Sequence, residues 1–206
     1  MEEKLNIFSH GIGFLLSIVA LVLLVIHASL HGNGWHITSF SIFGVSLITL
    51  YGASTLYHYS KKPTIRNRLN IIDHALIYVL IAGTYTPFSL ICLSGTTGWV
   101  IFGLSWGLAI TGIILKIFFT GRFNILSTVM YVLMGWIIIF AIKPLIDVLP
   151  LAGFYWLLAG GITYTVGAIL YSLDMIKYNH AIFHVFVLMA SICQFIAVYI
   201  YVLPWS

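Results

Sequence analysis

The sequence predicts an all-α integral membrane protein, a bundle of seven transmembrane helices with its N-terminus in the cytoplasm and its C-terminus outside. Composition points there first. Of 206 residues, 61% are hydrophobic and 7% charged, and the mean hydropathy is +1.09. A soluble domain carries roughly 25% charged residues, and one soluble core cannot hide this much apolar surface. Run length points the same way. The apolar residues form long continuous stretches, each near the ~20 residues needed to cross hydrocarbon, not the ~10-residue alternating segments of a membrane barrel. The third observation is the lopsided placement of the basic residues.

Taken in order, the predicted helices cover residues 8–30, 36–59, 69–93, 98–119, 124–142, 151–173 and 180–202, within a single domain spanning 1–206. The chain opens Met1-Glu2-Glu3-Lys4, without the positive region of a secretory signal, and Ala28-Ser29-Leu30 is a poor cleavage site, so the first run is expected to be a retained helix. His31-Gly32-Asn33-Gly34 separates it from the second run, which Ser60-Lys61-Lys62-Pro63 ends. The third contains Thr84-Tyr85-Thr86-Pro87, where proline removes a backbone bond; a kink is expected, with the threonine hydroxyls helping to satisfy freed carbonyls. In the fourth, Gly103 and Gly107 form a GxxxG pair suited to close helix approach. Lys143-Pro144 is expected to end the fifth. Short connections make successive helices antiparallel neighbours. Trp35, Trp99, Tyr178 and Trp205 fall near helix ends, as interfacial anchors do. Cys92 and Cys193 lie at different depths of apolar runs and read as packing residues, not a disulfide.

Eight of the nine basic residues (Lys4, Lys61, Lys62, Arg66, Arg68, Lys116, Arg122 and Lys177) fall on the N-terminal side of this topology, and Lys143 alone on the other. The positive-inside rule then orients the bundle in the cell membrane. The net charge of +4 is explained by these short gaps, so nucleic acid is not expected as a partner. There is no phosphate loop, Gly-rich nucleotide motif or nucleophile elbow.

Topology also assembles a polar layer. His180 and His184 are one turn apart on one helix face, roughly 4.5 and 10 Å past Lys177 at helical rise. His58 lies about 4.5 Å before Lys61, and Asp73-His74 begins about 7.5 Å past Arg68. His58, Asp73, His180 and His184 therefore share one depth near the cytoplasmic face. Three imidazoles leave zinc a fourth, open position for water, and Asp73 is the carboxylate available as general base. Ser54, one turn before His58, is placed to hydrogen-bond water, ligand or a substrate carbonyl. Singly, each residue has an ordinary alternative: an HxxxH pair is a weak signal, His74 suits interfacial packing, and Asp73 could cap a helix or pair with a loop cation. Their co-location favours the metal. His27, His31 and His36 belong to the opposite face and read as interfacial.

Together, Glu3-x2-Asn6-x3-His10, Ser54-x3-His58 followed by Asp73, and His180-x3-His184 resemble the three signature motifs of the hemolysin III family and its relatives, the progestin and adipoQ receptors. The likeness runs from Glu3 to the last helix. Asp73-His74 through Gly83-Thr84-Tyr85-Thr86-Pro87 is similar to the bacterial branch. The resemblance implies a cytoplasmic N-terminus, zinc held by His58, His180 and His184, Asp73 at the water on that zinc, and supporting roles for Glu3, Asn6 and His10, with His74 grouped beside them. It also implies kinship with alkaline ceramidases, which are lipid amide hydrolases.

Three functions compete. The first is zinc-dependent hydrolysis of an amide or similar bond in a membrane lipid, with lateral entry past a kinked third helix. The second is a sensor of membrane state, with structural zinc and a lipid as ligand. The third, a pore, is disfavoured because no charged residue continues across the midplane.

Overall fold

The computed structural model describes residues 1–93, 95–120, 124–173 and 175–203. Seven segments among them are long and apolar enough to cross a bilayer. α1 (Glu2–His31) and α2 (Gly34–Tyr59) are the first two, and α3 (Pro63–Pro87) continues through a π-helical turn at Phe88–Leu93 as the third. α4 (Gly95–Phe119) is the fourth. The fifth is composite: α5 (Asn124–Gly135), a 3-10 segment at Ile137–Ala141, and α6 (Ile142–Ile146). α7 (Leu151–Tyr171) is the sixth, and α8 (Asn179–Ile196) with a π-helical end at Ala197–Val202 is the seventh. Successive spans pack side by side and α1 returns against α8, closing the ring; the fifth span is the least buried and touches α3, α4 and α7.

Burial is inverted relative to a soluble protein. Phe8, Leu15, Phe118, Ile125 and Phe140 face outward, while Ser39, Ser54, Thr86, Ser89, Ser105 and Gln194 are buried. Lipid tails solvate leucine as well as a core does, so the interior is where hydrogen-bonding groups and small side chains belong.

Three helix ends differ from expectation. α1 starts at Glu2, not residue 8, because Asn6 and His10 are turned into the bundle and buried; hydropathy undercounts a turn that faces a polar interior. α3 starts at Pro63, not residue 69, with proline at N1, where its missing N–H costs no helical bond. The fifth span does not stop at Lys143-Pro144. It runs on through Ile146, because Pro144 sits in the first turn of α6 and is tolerated there.

Pro87 marks the change from α to π geometry. The Thr84 and Thr86 hydroxyls donate to the Leu80 and Ala82 carbonyls at 2.8 and 2.9 Å. Both carbonyls precede Gly83, whose carbonyl is the one Pro87 leaves without its usual donor, so the threonines bond carbonyls upstream of the freed one.

The GxxxG expectation fails. Gly103 and Gly107 are exposed, and a Cβ at either would meet nothing within 4 Å. The packed seam of α4 is Gly98, Ser105, Ala109 and Gly112, all buried. At Gly112 the Tyr78 ring would stand 2.5 Å from an added Cβ.

His27 is also not the interfacial residue expected. It is buried, with Nε2 2.7 Å from the Leu203 carbonyl oxygen, tying the first span to the end of the seventh. His36 completes a capping box with Asn33 at the start of α2. Trp35 and Trp99 are exposed at adjacent helix ends, edge to face at 6.0 Å. The Lys177 ammonium lies 5.0 Å from the Tyr178 ring centre. Cys92 and Cys193 are both free. Arg122 and Trp205 lie outside the described residues.

Gly112→Ala should cost about 1–3 kcal/mol through overpacking against Tyr78. Gly107→Ala should be neutral or slightly stabilising, since alanine is the better helix former. Thermal unfolding of the two detergent-solubilised variants beside wild type checks both.

Candidate metal centre

His58 occupies the last turn of α2, and His180 and His184 the first two turns of α8. The entry to α8 is fixed locally. Tyr178 adopts a left-handed conformation (φ 63°) that redirects the chain. The Asn179 amide donates back to the Tyr171 carbonyl at 3.0 Å, holding the end of α7 to the start of α8. The three imidazoles offer nitrogen atoms that all lie within 4.8 Å of one another. The rings meet at near right angles, with centroids 4.6–4.9 Å apart. His58 and His184 are buried and His180 is partly so.

The first helix supplies the support for these rings. Glu3 Oε2 is 2.7 Å from His58 Nδ1. A carboxylate there holds the proton on Nδ1 and leaves Nε2 as a lone-pair donor. His58 Nε2 is buried and has no hydrogen-bond partner among the described residues. The other Glu3 oxygen accepts from Arg66, whose guanidinium lies over the Tyr57 ring at 4.7 Å and also donates to the Ser60 carbonyl. The Asn6 amide nitrogen stands 3.4 Å from the same Nδ1. His10 stacks on His184 at 3.5 Å between centroids, 11° from parallel, with its other side against Tyr51. Glu3, Asn6 and His10 thus each touch a histidine of the trio.

Asp73 is buried well inside α3, so it is not a helix cap. Among the described residues it has no loop cation as partner; His74 Nδ1 stands 3.9 Å from its carboxylate, beyond hydrogen-bond range. His74 Nδ1 instead donates to the Asn70 carbonyl at 2.8 Å, and the Tyr131 hydroxyl donates to the His74 carbonyl at 3.0 Å. Ser54 is buried beside the Asp73 carboxyl. Asp73 is not one of the three groups that converge on the common point. It shares the wall of one cavity with two of them, His180 and His184, and with His10, Ser54 and His74.

That cavity extends deep into the bundle. Asp73 and Phe88, both on its wall, are about 22 Å apart at helical rise. Beyond the histidine layer the lining is mainly apolar, with Leu80, Ile81, Phe88, Ile138, Phe154 and Leu157.

Several residues of this region escaped the sequence reading. Arg66 was counted only as a boundary charge. Lys116 was counted likewise, but it is buried in α4 on the cavity wall. Ser191 and Gln194 were missed although they continue the His184 stripe at helical spacing. Ser191 Oγ meets the Tyr51 and Tyr164 hydroxyls, each at 2.8 Å, and Gln194 Nε2 donates to the Leu157 carbonyl at 3.1 Å.

Known proteins resemble this chain along nearly its whole length. A family model described as haemolysin-III related matches residues 1–195. Hemolysin-3 of Bacillus cereus is 52% identical over 203 residues, covering 98% of this chain and 93% of that protein. The hemolysin-3 homolog of Bacillus subtilis is 52% identical over 200 residues, covering 97% and 94%. The human monocyte to macrophage differentiation factor is 26% identical over 213 residues, covering 97% and 84%.

Glu3→Gln keeps the shape but weakens the hold on His58, and should lower affinity for zinc about 10–100-fold without unfolding the protein. Competition against a chromophoric chelator, with circular dichroism as the folding control, measures this.

Proposed function

Because this chain belongs to the haemolysin-III-related family, and because its buried histidines share a cavity with one carboxylate, we propose that it is a zinc-dependent hydrolase of an amide or related bond in a membrane lipid. The observation carrying this reading is the pairing of a three-imidazole cluster with Asp73 and Ser54 at the polar end of a long apolar cavity. His58, His180 and His184 would hold zinc, a donor set that suits it. When bound, zinc supplies Lewis acidity toward water and a carbonyl oxygen.

The remaining work falls to this chain. The apolar wall takes the acyl chain and brings the scissile carbonyl toward the histidines. Asp73 takes a proton from the attacking water and returns it to the departing amine. The Ser54 hydroxyl donates to the carbonyl oxygen. The loosely packed fifth span is the natural lateral entrance from the bilayer, in place of the third helix favoured from sequence. The bias of flanking basic residues, Lys4, Lys61, Lys62, Arg66, Arg68 and Lys177 against Lys143, supports a reading in which this layer lies at the cytoplasmic face of the plasma membrane and the C-terminus outside.

A second reading has an observation of its own. The trio joins the second span to the seventh, so a single ion would also brace the bundle, as a lipid sensor with structural zinc requires. A pore, which the relatives' name suggests, has less support, since the cavity beyond the histidines is walled mainly by apolar side chains.

Purified protein incubated with a panel of amide- and ester-linked lipids should release fatty acid. Asp73→Asn should lower the rate at least 100-fold with zinc retained, the scale of lost general-base catalysis, and His184→Ala should lose both. Turnover unaffected by Asp73→Asn removes Asp73 as the general base, and zinc-loaded wild type inert on the whole panel defeats hydrolysis and favours the sensor.

A further inference from the structure

Lys116 has no role in the reaction just described. It sits in the last turns of α4, three residues from the helix end at Phe119. A lysine there ordinarily extends along the helix and carries its ammonium to the membrane surface. This one is 3% exposed and lines the cavity together with His74, Ser127, Thr128 and Tyr131. Among the described residues its side chain has no carboxylate within ion-pair distance; the three ion pairs involve Glu3 and Asp73 with His58, Arg66 and His74. No described residue accepts a hydrogen bond from its ammonium. The nearby polar groups are spoken for or uncharged: His74 Nδ1 is bonded to Asn70, and the Tyr131 hydroxyl to the His74 carbonyl. An ammonium that opens on a mainly apolar cavity and has no partner among the described residues carries a cost. That cost is relieved if whatever fills the cavity brings a negative charge with it.

We propose that Lys116 recognises an anionic oxygen group, a carboxylate or a phosphate, on the amphiphile that occupies the cavity, so that the protein prefers acidic lipids over neutral ones of the same chain. The ammonium donates three hydrogen bonds and suits either anion. The cavity separates the two tasks: Leu80, Ile81 and Phe88 accept the hydrocarbon, and Lys116 fixes the charged end close to the histidine layer. This rests on the lipid reading above only for the class of occupant. Binding requires neither metal nor turnover, so failure of hydrolysis leaves the test intact.

The test uses the full chain in nanodiscs of phosphatidylcholine and a fluorescent acyl probe as the displaced ligand. The competitors are an N-acylglycine, the N-acylethanolamine of equal chain length, and the phosphate ester of that ethanolamide. One or both anionic competitors should bind at least about tenfold more tightly than the neutral one, the size of a buried charge-assisted hydrogen bond. Which of them wins tells carboxylate from phosphate. Lys116→Gln should erase the preference and leave the neutral competitor's affinity unchanged, which also shows that the variant is folded, while Lys116→Arg should retain it. Equal binding of all three by wild type, failure of all three to displace the probe, or a preference that survives Lys116→Gln would overturn the proposal.

Discussion

An imidazole withheld from both water and lipid must find its partner inside the protein, and much of this bundle is arranged around that constraint. His58 can be buried because Glu3 accepts a hydrogen bond from its Nδ1–H. Glu3 is placed because α1 begins six residues earlier than its apolar run, and it is held because Arg66 at the start of α3 clamps its second oxygen. His184 is buried against the face of His10. Contacts among four helices, α1, α2, α3 and α8, thus converge on two histidine rings. The buried Nε2 of His58 still lacks a partner. An unsatisfied polar atom of this kind costs about 1–3 kcal/mol, and a cation shared by three such nitrogens removes the cost at one stroke.

The apolar outside follows from the same solvent logic. Because lipid provides no hydrophobic drive between helices, contact depends on small residues and internal hydrogen bonds. Gly112 against Tyr78 and the Tyr51–Ser191–Tyr164 chain of hydroxyls are of that kind. The fifth span is the least buried of the seven, although Tyr85, His74 and Thr165 tie it to α3 and α7 by hydrogen bonds. It breaks into a 3-10 segment after Gly135 and leaves Ile139 and Phe140 facing out.

The seven spans were legible in the sequence because continuous apolar length is a direct report of bilayer thickness. Their ends were less so, since the physics changes there. Asn6 and His10 lower the local hydropathy of α1 yet belong to the helix, and Pro144 reads as a stop although it occupies a permitted first turn. The co-location of His58, His180 and His184 followed from topology alone, because helix direction and distance from a boundary charge fix depth. Depth does not fix azimuth. That is why Gly103 and Gly107 read as a packing pair but face outward, and why Lys116 read as a boundary cation but turns inward. Arg66 was hidden for another reason: its contact with Glu3 joins residues 63 positions apart, and Arg66 itself lies in no recognisable local pattern.

The central claim is that His58, His180 and His184 hold one metal ion. Elemental analysis of the purified wild type beside His58→Ala, His180→Ala and His184→Ala tests it most directly. A single zinc per chain in the wild type, lost in each variant that still folds, is the predicted result. Wild type purified without any metal from zinc-replete cells, or a His58→Ala variant that keeps its full complement, would contradict it.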